Sequence, residues 1–135
     1  MTCAVIDTNV VVAALMSRHD DAATVRVMHA VFDGLVVPLY NGEILGEYRD
    51  VLRRPRLKLN PGKCAYILSY IEDFGLPLAA VPCDLDFPDE DDRVFYEVAL
   101  AGRRFGASLV TGNGRHYPTA PFVLPPAEFC EMLGI

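Results

Sequence analysis

Apolar residues fall along this chain in short blocks, and the spacing within each block names the element it builds. Cys3-Ala4-Val5-Ile6 is an unbroken apolar run, the pattern of a strand covered on both faces, and it drives straight into a carboxylate, Asp7. Thr8 and Asn9 turn the chain into a second apolar stretch, Val10 to Leu15, which predicts a strand over 2–6 and a helix over 8–17. A further helix is expected over about 20–33, ended by Gly34, with Leu35 to Tyr40 returning as a strand. Asn41 is a good N-cap for a helix over 42–54, closed by Pro55, and Asn60-Pro61 repeats the signal with a cap followed by proline at the first helical position. Cys64, Ile67, Leu68, Ile71 and Phe74 then recur at helical spacing up to Gly75. Leu78 to Val81 reads as a short extended segment, and the apolar positions 94, 95, 98, 99 and 105 describe an amphipathic helix stopped by Gly106. Ala107 to Thr111 and Phe122 to Leu124 are strands, and a last short helix begins at about Pro126.

Strands alternating with helices imply a parallel sheet covered on both faces. The expected class is therefore α/β: a single three-layer domain over residues 1–135, with a parallel central sheet of about four to five strands flanked by helices. No repeat, linker or low-complexity tract divides it.

Composition narrows the class. Hydrophobic residues make up 52% of the 135, enough for a proper core without staples. No apolar run is long enough to span a membrane, and Asp7 interrupts the one stretch that could imitate a secretory leader, so a cytoplasmic protein is expected. Four cysteines (Cys3, Cys64, Cys83 and Cys130) lack any paired spacing, which fits reduced, mostly buried thiols and argues against a zinc site.

Charge changes the picture more. The net charge of −6 speaks against nucleic acid, but its distribution does not. Six of the twelve basic residues (Arg49, Arg53, Arg54, Arg56, Lys58 and Lys63) lie between 49 and 63. Six of the eighteen acids (Asp84, Asp86, Asp89, Glu90, Asp91 and Asp92) crowd into 84–92. A chain split this way can hold a divalent cation at one place and a phosphate backbone at another, although a solvated loop and an ordinary helix face would give the same counts.

Three features of the chain are placed to meet at one edge of the sheet. Asp7 ends the first strand, where open parallel sheets bind their ligands. Asp91 and Asp92 open the helix that leads to the strand at 107–111, and Asn113 follows that strand through Gly112. On the helix at 42–54, Ile44, Leu45, Tyr48, Val51 and Leu52 share one face. Glu47 sits at the edge of that face, while Glu43 and Asp50 point to solvent. Clustered carboxylates repel, and a hard divalent cation such as Mg²⁺ relieves the repulsion while activating water. The competing structural roles are equally well defined: Asp7 capping the helix after it, Asp89 to Asp92 satisfying a helix N-terminus, and Glu47 pairing with Arg54.

The ordered set Val5-Ile6-Asp7-Thr8-Asn9, Glu43 to Leu52, Pro88 to Phe95, Leu109-Val110-Thr111-Gly112-Asn113 and Pro126-Ala127-Glu128-Phe129 resembles PIN-domain nucleases, especially the toxin components of bacterial toxin–antitoxin pairs (VapC-like). The resemblance implies a PIN-like fold and Mg²⁺- or Mn²⁺-dependent cleavage of RNA. It maps Asp7, Glu47 and Asp92 onto the metal-binding acids, with Asp91 and Asn113 as further candidates. It also implies a cognate antitoxin as partner, with a homodimer as a further possibility and no membrane. Asn113 departs from the pattern, since many relatives carry aspartate there; it can offer a carbonyl but no charge. Where some relatives place an acid three residues later, this chain has His116, which reads as a surface histidine.

Two other functions compete. A haloacid-dehalogenase-like phosphatase also opens with a strand and an aspartate, but needs a second aspartate where Asn9 stands and a late lysine, and no lysine follows Lys63. A PIN fold that binds RNA or a partner without cutting draws its support from Asn113.

Overall fold

The first apolar run, Cys3–Ile6, forms strand β1, and every one of its residues is buried. With both faces covered and both edges free, it becomes the centre of the sheet. In the computed structural model, which describes all 135 residues, five parallel strands lie in the order β3-β2-β1-β4-β5. On one edge β1 pairs with β2 (Val37–Tyr40), setting Cys3 opposite Val37 and Ala4 opposite Pro38. On the other it pairs with β4 (Ser108–Val110), aligning Val5 with Leu109 and Ile6 with Val110. The outer strands are β3 (Leu76–Pro77) and β5 (Val123–Leu124). The chain winds outward from β1 to β3 and then crosses back to β4. The strand order therefore reverses between β1 and β4, the point at which such sheets open a ligand crevice beyond their carboxyl ends.

Six helices complete an α/β three-layer domain: α1 (Thr8–Met16), α2 (Ala23–Phe32), α3 (Gly42–Leu52), α4 (Pro61–Phe74), α5 (Arg93–Ala101) and α6 (Pro126–Leu133). Helix α5 lies across β1, β2 and β4, α4 covers β2, and α6 packs on β4 and α2. The caps act as the sequence implies. Asn41 accepts the Ile44 N–H at 2.9 Å, and Asn60 accepts the Lys63 N–H at 3.1 Å. Gly34 ends the segment after α2 with φ +79°, a left-handed conformation that glycine holds without a Cβ clash.

Several boundaries differ from expectation, β2 beginning at Val37 instead of Leu35 and β4 and β5 each being shorter among them. The third strand is Leu76–Pro77, not 78–81, because the chain turns onto β2 directly at Gly75. A Cβ there would lie 2.4 Å from the Ile71 carbonyl and 2.7 Å from that of Pro38, so only glycine permits the approach. Helix α3 stops at Leu52 instead of 54, since Arg54 precedes Pro55 and takes the extended backbone that proline imposes on its neighbour. The helix expected from 20 begins at Ala23, and the one expected to run to 105 ends at Ala101, tightening into a 3₁₀ turn over Gly102–Phe105 before Gly106. Cys3, Cys64 and Cys130 are buried, Cys83 is half-buried, and none is bridged. No helix is long and apolar enough to cross a membrane.

Candidate active site

Asp7 leaves the carboxyl end of β1 and is buried, yet it does not cap α1: its side chain takes no backbone N–H of that helix. Its hydrogen bonds all go to one oxygen. Oδ2 accepts from Thr111 Oγ1 at 2.8 Å, Tyr117 Oη at 2.8 Å and Asn9 Nδ2 at 3.1 Å, while Oδ1 takes no partner. Three donors satisfy one oxygen of a buried carboxyl and fix its orientation. The donors are themselves tied to the switch point. Thr111 ends β4 and its hydroxyl oxygen accepts the Asn113 N–H, and Asn9 Oδ1 accepts the Gly112 N–H at 3.1 Å. The ends of β1 and β4 are thus stitched together around Asp7.

Tyr117 reaches Asp7 from the turn after β4 and packs edge-on against Phe87, with 6.3 Å between ring centroids. Burial first, and then the charge of Asp7, push its hydroxyl well above the usual tyrosine range, so it remains a donor. Phe87 sits in the acidic loop, which Arg93 holds in place. The guanidinium donates to the carbonyls of Cys83 (2.9 Å) and Leu85 (2.8 Å), pairs with Glu90 at 2.7 Å, and lies over the Phe87 ring. One cation therefore carries the backbone of a loop whose own side chains repel each other.

At the end of that loop Asp89 accepts the Asp91 N–H at 3.0 Å, a capping role, and so releases Asp92 from that duty. Asp92 Oδ2 is buried and has no hydrogen-bond partner. It faces His116 Nδ1 at 3.4 Å, beyond good hydrogen-bond geometry. Burial first, then the charges of Asp7 and Asp89, push the Asp92 carboxyl up to about 6, with His116 pulling it back. Glu47 completes the acidic wall. It is half-buried at the edge of the apolar face of α3, and its Oε2 accepts the Thr8 hydroxyl. It makes no ion pair with Arg54. Glu43 and Asp50 are exposed, as the helical phase requires.

These groups line an open cleft of about 580 Å³ that includes Asp7, Glu47, Asp91, Asp92, Asn113 and His116. All five candidate residues read from the sequence are brought together there, in different states. Asp7, Glu47 and Asp92 form the floor; Asp91 and Asn113 are exposed on the rim, and the side chain of Asn113 makes no hydrogen bond. His116, read as a surface histidine, is 47% exposed but stands against Asp92. Of the basic set, Arg54 and Arg56 line the cleft, whereas Arg53 faces a separate hollow beside Cys64 and Leu68. Asn9, Thr111 and Tyr117 were not singled out as site residues. Asn9 and Thr111 lie inside motifs that gave a signal, but Tyr117 had none, being one aromatic in a turn.

No three histidine, cysteine, aspartate or glutamate side chains converge closely enough to grip a metal ion by themselves. The donor set still suits a hard cation that keeps several waters and takes one or two carboxylates, Mg²⁺ being the type case. Asp92 Oδ2 is buried without a hydrogen bond, faced only by His116, and Asp7 Oδ1 is left free by a carboxylate anchored through its other oxygen.

No curated protein and no solved structure matches the chain at a significant level. Compared with protein families, residues 3–115 match the PIN domain, a span that begins at β1 and takes in all of the acids described here. With that match over most of its length, and with a five-stranded parallel sheet that places Asp7 at the switch point, the chain belongs to the PIN domain family.

Proposed function

We propose that this chain is a metal-dependent endoribonuclease that hydrolyses RNA phosphodiester bonds, the toxin of a toxin–antitoxin pair. Membership of the PIN domain family implies nuclease activity in general. The observation that carries the metal-dependent reading is Asp92 Oδ2, a buried oxygen without a hydrogen bond that shares an open cleft with Asp7 and has only His116 facing it, at 3.4 Å. A largely buried carboxylate so weakly compensated is costly, and a site that tolerates one suits a ligand that supplies positive charge.

Asp7, Glu47 and Asp92 are the residues that would hold Mg²⁺ or Mn²⁺, with Asp91 and Asn113, on the rim of the same cleft, as further candidate ligands. Bound there, such an ion activates water and stabilises charge on the phosphoryl oxygens. The protein's own part is positioning. Thr111, Tyr117 and Asn9 lock the Asp7 carboxylate, Thr8 orients Glu47, and Arg54 with Arg56 meet the phosphate backbone without reading bases. A second reading, a PIN fold that binds RNA or a partner without cutting, is favoured by the uncharged Asn113 and by the lack of a closed triad of acids.

Incubating the purified chain with generic single-stranded RNA separates the two. Cleavage that needs Mg²⁺ or Mn²⁺ and stops in Asp7→Asn supports the nuclease; binding without cleavage supports the alternative. For the toxin role, induced expression should arrest growth of a bacterial host with the wild-type chain and not with Asp7→Asn. Growth unaffected by an active nuclease would remove the toxin assignment and leave the activity. A soluble cytoplasmic location and a homodimer accompany this proposal.

A further inference from the structure

The active-site cleft does not end at the acids. Its wall at Met16 and Leu57 is shared with a shallow depression that runs past Lys58 to Lys63. That depression shares Leu15, Asn60 and Lys63 with a third hollow, which ends at Phe32 and Tyr66. Acids, cations and aromatic rings therefore follow one another along three adjoining hollows that share their walls, together making a groove. Arg54 and Arg56 lie where it leaves the cleft, Lys58 and Lys63 in the middle, and Tyr66 at the far end.

None of these four cations has a carboxylate within ion-pair distance. Lys58 is the sole non-glycine residue with a left-handed backbone, φ 52°, a conformation that glycine would hold at less cost. Tyr66 is 60% exposed and its hydroxyl makes no hydrogen bond. Its ring is nevertheless supported, 5.6 Å from Phe32 and 6.2 Å from Tyr70 between centroids. Tyr70 is in turn pinned by its hydroxyl, which donates to the carbonyls of Val31 (3.0 Å) and Phe32 (3.2 Å). A large ring braced by two tilted neighbours and open to solvent can take a stacked base. Lys63, one helical turn before it on α4, puts a cation on the same face.

We propose that this groove is a track for one flank of a single-stranded RNA substrate, with phosphates passing Arg56, Lys58 and Lys63 and an unpaired base stacking on Tyr66. The inference rests on the nuclease reading above and adds where a flank of the strand is held beyond the cut. The occupant follows from continuity with the acidic cleft and from charge, because a polyanion threaded past the acids meets positive charge and then an aromatic face, the pairing on which single strands are held. A double helix has no free base to offer Tyr66.

The test is fluorescence anisotropy with a labelled twelve-nucleotide oligoadenylate, using the full chain carrying Asp7→Asn so that the probe stays intact. Adding Tyr66→Ala should weaken binding about 5- to 150-fold without changing the salt slope, and Tyr66→Phe should restore it. Adding Lys63→Ala should lower the salt slope by about 0.7, and Lys63→Arg should restore it. Both positions are exposed, and melting temperatures matching the parent would exclude a folding defect. Unchanged affinity and slope in both alanine variants, while the wild-type chain still cleaves RNA with metal, would overturn the track alone. No RNA binding or cleavage by any form would overturn the nuclease reading and the track with it. A dimer that becomes monomeric in Tyr66→Ala with RNA affinity intact would assign the ring to an interface between copies and overturn the proposal.

Discussion

Replacing Asp92 with asparagine should make the metal-free protein more stable, and the gain should depend on pH in a defined direction. The wild-type carboxyl titrates near 6 in the fold against 3.8 for a free aspartate, raised by burial, Asp7 and Asp89. The folded state therefore binds the proton more tightly than the unfolded chain, so stability falls as pH rises through this window. Below about 3.8 the group is neutral in both states and costs nothing; above about 6 the full cost is present. A shift of about two units corresponds to about 3 kcal/mol at most. The Asp92 side chain is 18% exposed, and asparagine still buries a polar group, so about 1–3 kcal/mol is expected at pH 7.5. For a domain of this size that is a rise in melting temperature of about 3–5 °C per kcal/mol. Urea unfolding of both proteins in EDTA, from pH 4 to pH 8, reads the difference directly. It should be near zero at pH 4 and largest above pH 6.5, and saturating Mg²⁺ should stabilise the wild type more than the mutant. An Asp92→Asn protein less stable at pH 7.5, or a gap that does not change with pH, would refute the account of this residue.

Other perturbations probe the supports. Tyr117→Phe removes one of three donors to Asp7 Oδ2 and should cost about 1.5–3 kcal/mol in urea unfolding, with a fall in RNA cleavage rate. An unaffected rate would mean that Thr111 and Asn9 alone orient the acid. The double change Arg54→Ala with Arg56→Ala should lower the salt slope of RNA binding by about 1.4, whereas Arg53→Ala, facing the other hollow, should leave it unchanged. Equal effects would place Arg53 in the cleft as well. Gly75→Ala should destabilise by about 1–3 kcal/mol, since its Cβ would meet two backbone carbonyls; a neutral result in urea would show that the turn into β3 can shift.

How far the sequence reaches can be followed residue by residue. The placement of Asp7 at the carboxyl end of a buried strand was legible because a fully apolar run ends there in an acid, whereas the strand reversal beside it depends on tertiary pairing; Asn41 and Asn60 marked their helices through local capping chemistry. The phase of α3 separated Glu47 from Glu43 and Asp50 by geometry alone. The third strand was misplaced because two residues of pairing leave no periodic trace, and its position depends on a tertiary approach at Gly75. Tyr117 was invisible as a site residue for the same reason, reaching Asp7 from a turn with no repeat, and His116, read as a surface histidine, is exposed but meets Asp92 through a tertiary contact that no spacing announces. Three structural roles weighed from sequence divide cleanly. Asp89 does cap, whereas Asp7 does not, and Glu47 is bound by Thr8 rather than paired with Arg54.

The most direct measurement of the central claim is cleavage of a labelled single-stranded RNA by the wild-type chain and by Asp7→Asn, with Mg²⁺ or Mn²⁺ and with EDTA. The account predicts cleavage by the wild type with metal, none in EDTA, and none above background by Asp7→Asn under any condition, with both proteins folded by circular dichroism. Wild-type cleavage undiminished by EDTA, or full activity in Asp7→Asn, would contradict it.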